Sequence, residues 1–294
     1  MSYTTKFCGC KDIFYYIVYF LKNRDKMLLE KKKTLWYFRY MHRAMTIAGS
    51  DPSGGAGIQA DLKVFASLEV YGMAVITALT AQNTEGVYGI LDVPAEFVNK
   101  QLTSLLSGMK VDAVKTGMLY SSETVEVISR VLNDYKVRNL VVDPVIKSST
   151  GTPLIKEGAI EGIKLNLFPL ATIVTPNIDE ASVLTGISIK GIGEMRDAAK
   201  TLKDLGPQAI IITGGHLEKE AIDIFYDGKE FIEMRGEKIK GAYHGTGCVY
   251  SAVITASLAS GHSIKDSVRR AKDFVTEAIK ISSPCGKGLR ILGL

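Results

Sequence analysis

Met45-Thr46-Ile47-Ala48, then Gly49-Ser50-Asp51-Pro52-Ser53-Gly54-Gly55-Ala56-Gly57, then Ile58-Gln59-Ala60-Asp61-Leu62-Lys63-Val64-Phe65 is the stretch whose reading settles the architecture. A short apolar run gives way to a glycine-rich turn, and the turn to a pattern that repeats at helical spacing. The same order recurs along the chain. Further apolar, largely β-branched runs lie at 74–79, 113–115, 140–142, 172–174 and 209–212, with helical patterns near 56–70, 95–107, 122–134, 157–165, 179–186 and 194–205. Strands that are apolar without alternation are covered on both faces. Regular β-α alternation then predicts a mostly parallel central sheet in a three-layer α/β/α sandwich. Residues 222–226 and 230–234, joined through Asp227-Gly228-Lys229, read as an antiparallel hairpin at one edge, and two helices near 246–260 and 264–282 close the chain.

Ligands of such sheets bind beyond the carboxyl ends of the strands. Polar and glycine-rich residues stand at those ends here. The 49–57 turn follows the first strand, Ala81-Gln82-Asn83-Thr84 the second and Thr116-Gly117-Met118-Leu119 the third. Asp143-Pro144-Val145 follows the fourth, Thr175-Pro176-Asn177 the fifth and Thr213-Gly214-Gly215-His216 the sixth. One such segment is ordinarily a turn. Six at one end of a sheet predict a long cleft.

The run Tyr243-His244-Gly245-Thr246-Gly247-Cys248 opens directly into a helix-forming stretch. Free amides of a first helical turn, with the positive end of the helix dipole, suit an anion such as a phosphate. The same field would favour the thiolate of Cys248 and make it more reactive than Cys285, so the segment combines an anion hole with a candidate base. No Gly-Lys-Ser/Thr follows, so this is not a Walker loop.

Asp61 falls among Ile58, Leu62, Phe65 and Leu68 on the buried stripe of its helix. A buried carboxylate needs partners. They are either a cap or salt bridge, or a polar ligand beneath the first glycine turn. Asn177 is placed as an N-cap, and Glu180 three residues on complements the helix dipole. Beside Asp143, Glu180 could also hold a hydrated Mg²⁺, which takes few carboxylates and bridges nucleotide phosphates. His216 reads as a turn residue, and the Gly286-Lys287-Gly288 turn as a possible nucleotide contact.

The chain has 294 residues, 46% of them hydrophobic, enough for one large α/β domain. Much of its formal charge of +5 sits in the first 43 residues, so no nucleic-acid footprint is expected. The four cysteines show no paired metal spacing, and a reduced, cytoplasmic compartment is the default. Residues 13–21 are apolar and aromatic but only about half the ~20 residues that a membrane span needs. Residues 1–43 are expected to form an extension outside a domain at 44–294, with Met41 and Met45 as alternative starts.

The segments 48–63, 77–84, 115–119, 175–181, 214–216 and 244–248 together resemble the hydroxymethylpyrimidine/phosphomethylpyrimidine kinase family of thiamine biosynthesis, which has the ribokinase-like fold. The likeness covers about 44–288 with the motifs in order. It implies ATP and Mg²⁺ as cofactors and phosphorylation of 4-amino-5-hydroxymethyl-2-methylpyrimidine and then of its monophosphate. By the same resemblance Asp61 and Gln82 hydrogen-bond the pyrimidine, while Gly49, Met118 and Val145 line its pocket. Asn177 and Glu180 match the motif that organises Mg²⁺ and phosphate, and Thr213 stands at a phosphate-contact position; Asp143 as a second metal residue and Lys287 as a nucleotide contact rest on the residues alone. Gly245, Thr246 and Gly247 form the anion hole and Cys248 is the base. Two positions depart from the family: Thr213 stands where many members have Lys, and the chain ends Leu-Arg-Ile-Leu-Gly-Leu instead of on Gly-Pro-Val. A homodimer is expected, with no membrane partner. The alternatives are a pyridoxal or pyridoxine kinase, a non-catalytic pyrimidine-phosphate sensor and, least favoured, a membrane-tethered module built on residues 13–21.

Overall fold

A computed structural model describes residues 41–215 and 221–294. The reading of 1–40 and of His216 lies outside the described residues. Nine strands form one sheet in the order β3-β2-β1-β4-β5-β6-β7-β8-β9. Its centre is β2 (Tyr71–Gln82), β1 (Arg43–Ser50), β4 (Ala113–Thr116), β5 (Leu140–Val142), β6 (Ile173–Val174) and β7 (Ala209–Ile212), all parallel. The expected hairpin is β8 (Ala221–Tyr226) with β9 (Phe231–Gly236), added antiparallel beside β7.

The alternation of side chains along each strand divides the core in two. Ile47, Val114, Val142, Val174 and Ile212 pack beneath α2 (Ala95–Gly108), α3 (Ser122–Asp134), α5 (Ile178–Thr185) and α6 (Ile192–Lys203). Ala44, Ala113, Val141, Ile173 and Ile211 point the other way, against α1 (Gly57–Ser67), α7 (Thr246–Ala259) and α8 (Ile264–Lys280). This is the three-layer sandwich. α7 is apolar on all sides, and each residue from Val249 to Ala259 is buried, as a helix without a polar face must be.

Three elements differ from expectation. β3 (Val87–Asp92) pairs antiparallel with a β2 far longer than the predicted 74–79. Exposed Tyr88 and Leu91 and a central glycine hide that strand from an apolar-run reading. The helix near 157–165 is α4 (Ala159–Gly162) continued by a π turn and a 3-10 turn that carries Pro169. A small separate sheet joins β10 (Tyr243–His244), β11 (Ser283–Pro284) and β12 (Arg290–Ile291).

Candidate active site

A cleft of about 1020 Å³ runs along the carboxyl ends of the parallel strands. Gly49, Gln82, Met118 and Val145 line it from the loops after β1, β2, β4 and β5; Asn177 and Thr213 line it after β6 and β7. Asp143, Glu180, Gly245, Thr246, Gly247 and Cys248 line it as well, so the fold gathers twelve of the fourteen expected residues into one space.

At the centre stands the amino end of α7. Gly245 precedes it at φ +81, and a Cβ there would lie 1.9 Å from the Gly55 carbonyl oxygen, so the position admits only glycine. No side chain caps this helix, which leaves the amides of its first turn facing the cleft. Ser251, one turn on, donates to Asp143 Oδ2 at 2.8 Å and ties the helix to the end of β5. On the other side, Asn177 caps α5 by accepting from the Glu180 amide at 2.9 Å, while the Glu180 carboxylate accepts from the Asn177 amide at 2.9 Å. This capping box holds the Glu180 side chain in the cleft. Burial, and next the charge of Asp143, push the Glu180 carboxyl up to about 8.

Lys115 escaped the sequence reading. Its Nζ lies 2.7 Å from Asp61 Oδ1 and 4.0 Å from Asp143 Oδ2, with no exposure to solvent. Burial opposes its charge, but Asp61, Cys248 and Asp143 outweigh that and hold the ammonium above the usual lysine value. A lysine inside a strand covered on both faces was the available signal.

Three expectations are corrected. Asp61 does not reach the cleft: it is fully buried and spends its carboxylate on Lys115 and on the Thr46 hydroxyl, at 2.6 Å. The salt-bridge reading of that helix position therefore holds. Lys287 is exposed and does not line the cleft, because its turn is tied to the end of the sheet by Leu289 N donating to Thr84 O at 3.0 Å and by the Thr84 hydroxyl donating to the Lys287 carbonyl. Cys248 is not poised as a thiolate. Burial first, then Asp143 and Asp61, push its thiol up to about 12, against the pull of Lys115 and the Gly57 amide.

Lining from two further segments was also missed. Lys238 and Lys240 enter from the loop after β9, and Val275, Thr276 and Ile279 form an apolar wall on α8. Beside that wall Lys272 Nζ meets Asp223 Oδ2 at 3.0 Å, and Asp223 Oδ1 accepts the Gly214 amide at 3.0 Å, fixing the loop that carries Thr213. The short i, i+4 step from Val275 to Ile279 was legible, but nothing local distinguished it from core.

The phosphomethylpyrimidine kinase family model matches residues 51–292. The chain belongs to the phosphomethylpyrimidine kinase family. It is 47% identical over 246 residues to the thiamine biosynthesis bifunctional protein ThiED of Geobacter sulfurreducens, covering 83% of this chain and 50% of that one. The chain spans about half the length of this relative and of two plant thiamine biosynthetic bifunctional enzymes that it also matches. Among solved structures, the phosphomethylpyrimidine kinase of Clostridium difficile superposes with a TM-score of 0.73 at 42% identity, over 81% of this chain and 99% of that one. The pyridoxal kinase of Bacillus subtilis, solved as an ADP complex, gives 0.79 at 38% identity, over 86% and 96%. The ribokinase-like architecture follows from these likenesses.

Proposed function

We propose that this chain is a kinase that uses ATP to phosphorylate the hydroxymethyl group of 4-amino-5-hydroxymethyl-2-methylpyrimidine and then the resulting monophosphate. The observation that carries the reading is the open first turn of α7 set between a small pocket and a basic, apolar-walled channel. Gly49, Gln82, Met118 and Val145 form the pocket, with Gln82 as its polar reader in place of Asp61. Asn177, Thr213, Lys272 and the Val275–Ile279 wall form the channel for the nucleotide. The amides of Thr246, Gly247 and Cys248 stabilise charge as it develops on the transferring phosphoryl group.

Asp143 and Glu180 fit a divalent cation. Burial first, and then the charge of Asp143, raise the Glu180 carboxyl, and a cation beside the two carboxylates would relieve both. Among the described residues no group of three His, Cys, Asp or Glu side chains could hold a metal. Mg²⁺ suits such a site, because it keeps waters and takes further oxygens from phosphates. When bound it neutralises phosphate charge; Asn177 meanwhile holds Glu180 and Ser251 holds Asp143. The hydroxyl proton of the substrate passes late in transfer to an oxygen of the transferring phosphoryl group, because the Cys248 thiol is already protonated and contributes only its backbone amide.

Replacing Gln82 with Leu tests the pocket. The KM for the pyrimidine alcohol should rise by the equivalent of about 1–3 kcal/mol while the KM for ATP stays level. An unchanged pyrimidine KM would remove Gln82 from the pocket. Two coarser expectations belong to the same proposal. A homodimer is supported by the outer pair β2–β3, where Leu79 faces Leu91 and both are exposed; light scattering decides it. A cytoplasmic location agrees with the finding that, among the described residues, no helix is long and apolar enough to cross a membrane.

A further inference from the structure

Four side chains at the pocket end of the cleft form a chain of hydrogen bonds whose protons can be counted. His244 is 4% exposed, and its Nε2 lies 2.8 Å from Asp51 Oδ2. Gln82 is placed with its amide nitrogen 3.1 Å from the same Nε2 and its amide oxygen 3.2 Å from Thr80 Oγ1, although amide oxygen and nitrogen are told apart only by their hydrogen-bond partners. The Thr80 hydroxyl in turn lies 2.9 Å from the Ser50 carbonyl oxygen.

Asp51 already accepts from the Ser53 amide and hydroxyl and from the Ala56 amide. It is an ionised acceptor, so Nε2 of His244 must carry a hydrogen. Nδ1 of the same ring is buried without a partner. A buried N–H there would be an orphan donor, whereas a bare lone pair costs less. The ring is therefore the neutral tautomer with its hydrogen on Nε2.

That assignment dictates the amide. An Nε2–H can face only an acceptor, so the amide is turned from its placed orientation and Oε1 of Gln82 is assigned to His244. The Thr80 end gives the same answer independently. Its single hydrogen goes to the Ser50 carbonyl, so the hydroxyl can only accept from Gln82, and the amide nitrogen points at Thr80. The reverse orientation would set two donors together at His244, whereas the assigned one asks only that the single Nε2 hydrogen, directed chiefly at Asp51 at 2.8 Å, be shared with Oε1 at 3.1 Å.

We propose that Asp51 and His244 are positioning residues that lock the Gln82 amide in one orientation, so that the cleft selects a ring bearing an acceptor nitrogen beside an exocyclic amine over the same ring with an oxo group in the amine's place. The locked amide has one N–H and one oxygen lone pair to spare. These pair with the ring nitrogen and the amine respectively, whereas the oxo ring presents N–H and C=O in the opposite sense and would require the amide to turn. The selectivity rests on Gln82 being the pyrimidine reader; the lock itself does not.

Two measurements separate them. Nitrogen NMR of the wild-type chain should show His244 with a protonated Nε2 and an unprotonated Nδ1; the opposite tautomer, or a doubly protonated ring, overturns the lock. In steady-state assays, His244→Phe should reduce discrimination in kcat/KM between the 4-amino alcohol and its 4-oxo analogue at least tenfold, with the KM for ATP within about twofold of wild type. Undiminished discrimination in His244→Phe overturns the role of the pair. Should the expected tautomer appear in a wild type that phosphorylates neither alcohol, the selectivity claim falls with the pyrimidine reading, while the lock stands.

Discussion

Lys115 and Asp61 form an ion pair 2.7 Å long from which solvent is wholly excluded, immediately behind the cleft lining at Asp143. Removing one partner of such a pair leaves a bare buried charge. Lys115→Met is expected to cost about 3–5 kcal/mol of stability in urea denaturation, and adding Asp61→Leu to restore most of it. A single variant costing under about 1 kcal/mol would show that the pair does not hold β4 to α1.

The ion pair also shows where sequence reading stops. The order of strands and helices was legible because parallel strands are apolar runs and their turns are glycine-rich. The cleft was legible for the same reason, since six such turns fall at one end. That Asp61 was buried followed from its helix face, but its partner lies 54 residues away on another strand, and no local pattern gives that distance. Family likeness assigned Asp61 to the ligand; packing assigned it to Lys115. Cys248 failed differently. The dipole argument was sound for an exposed helix end, yet burial beside two carboxylates outweighs it. Lys287 looked like a phosphate contact in a glycine turn until the turn was seen bonded to Thr84.

Glu180 gives a pH signature. Its carboxyl, ordinarily near 4.5, sits at about 8 in the folded protein without ligand. Between those values the folded protein holds a proton that the unfolded chain has released. This contribution to stability is therefore fully present below about pH 4.5, declines as pH rises, and levels off above about pH 8. Glu180→Gln keeps an oxygen for the Asn177 amide and should remove that decline, stabilising the ligand-free protein by more than about 1 kcal/mol at alkaline pH. Thermal denaturation across this range in chelator checks it; an unchanged slope would contradict the rise that burial, and then Asp143, impose on Glu180.

The two cysteines of the described region should react in the order opposite to the dipole expectation. Cys285 is exposed, whereas the Cys248 thiol is pushed up to about 12. With Cys8 and Cys10 replaced by Ser, iodoacetamide near neutral pH should label Cys285 first, as read by peptide mass spectrometry. Preferential labelling of Cys248 would mean that its thiol is activated after all.

A chain beginning at Met41 should fold and turn over at a rate close to full length. The Tyr71 amide donates to the His42 carbonyl at 2.8 Å and the Arg43 amide to Asp112 at 2.9 Å, and both contacts survive that truncation. Aggregation or loss of turnover would show that the first 40 residues are needed by the domain.

The central claim is that this cleft transfers phosphoryl groups to a pyrimidine alcohol. The most direct test supplies the full-length protein with ATP, Mg²⁺ and, in separate reactions, the 4-amino-5-hydroxymethyl-2-methylpyrimidine, its monophosphate and pyridoxal, reading ADP release and product mass. The account predicts that the alcohol gains one phosphoryl group and then a second, that the monophosphate gains one, and that pyridoxal has the lowest kcat/KM of the three. Efficient turnover of pyridoxal with none of either pyrimidine would contradict it and assign the cleft to the vitamin B6 ring instead.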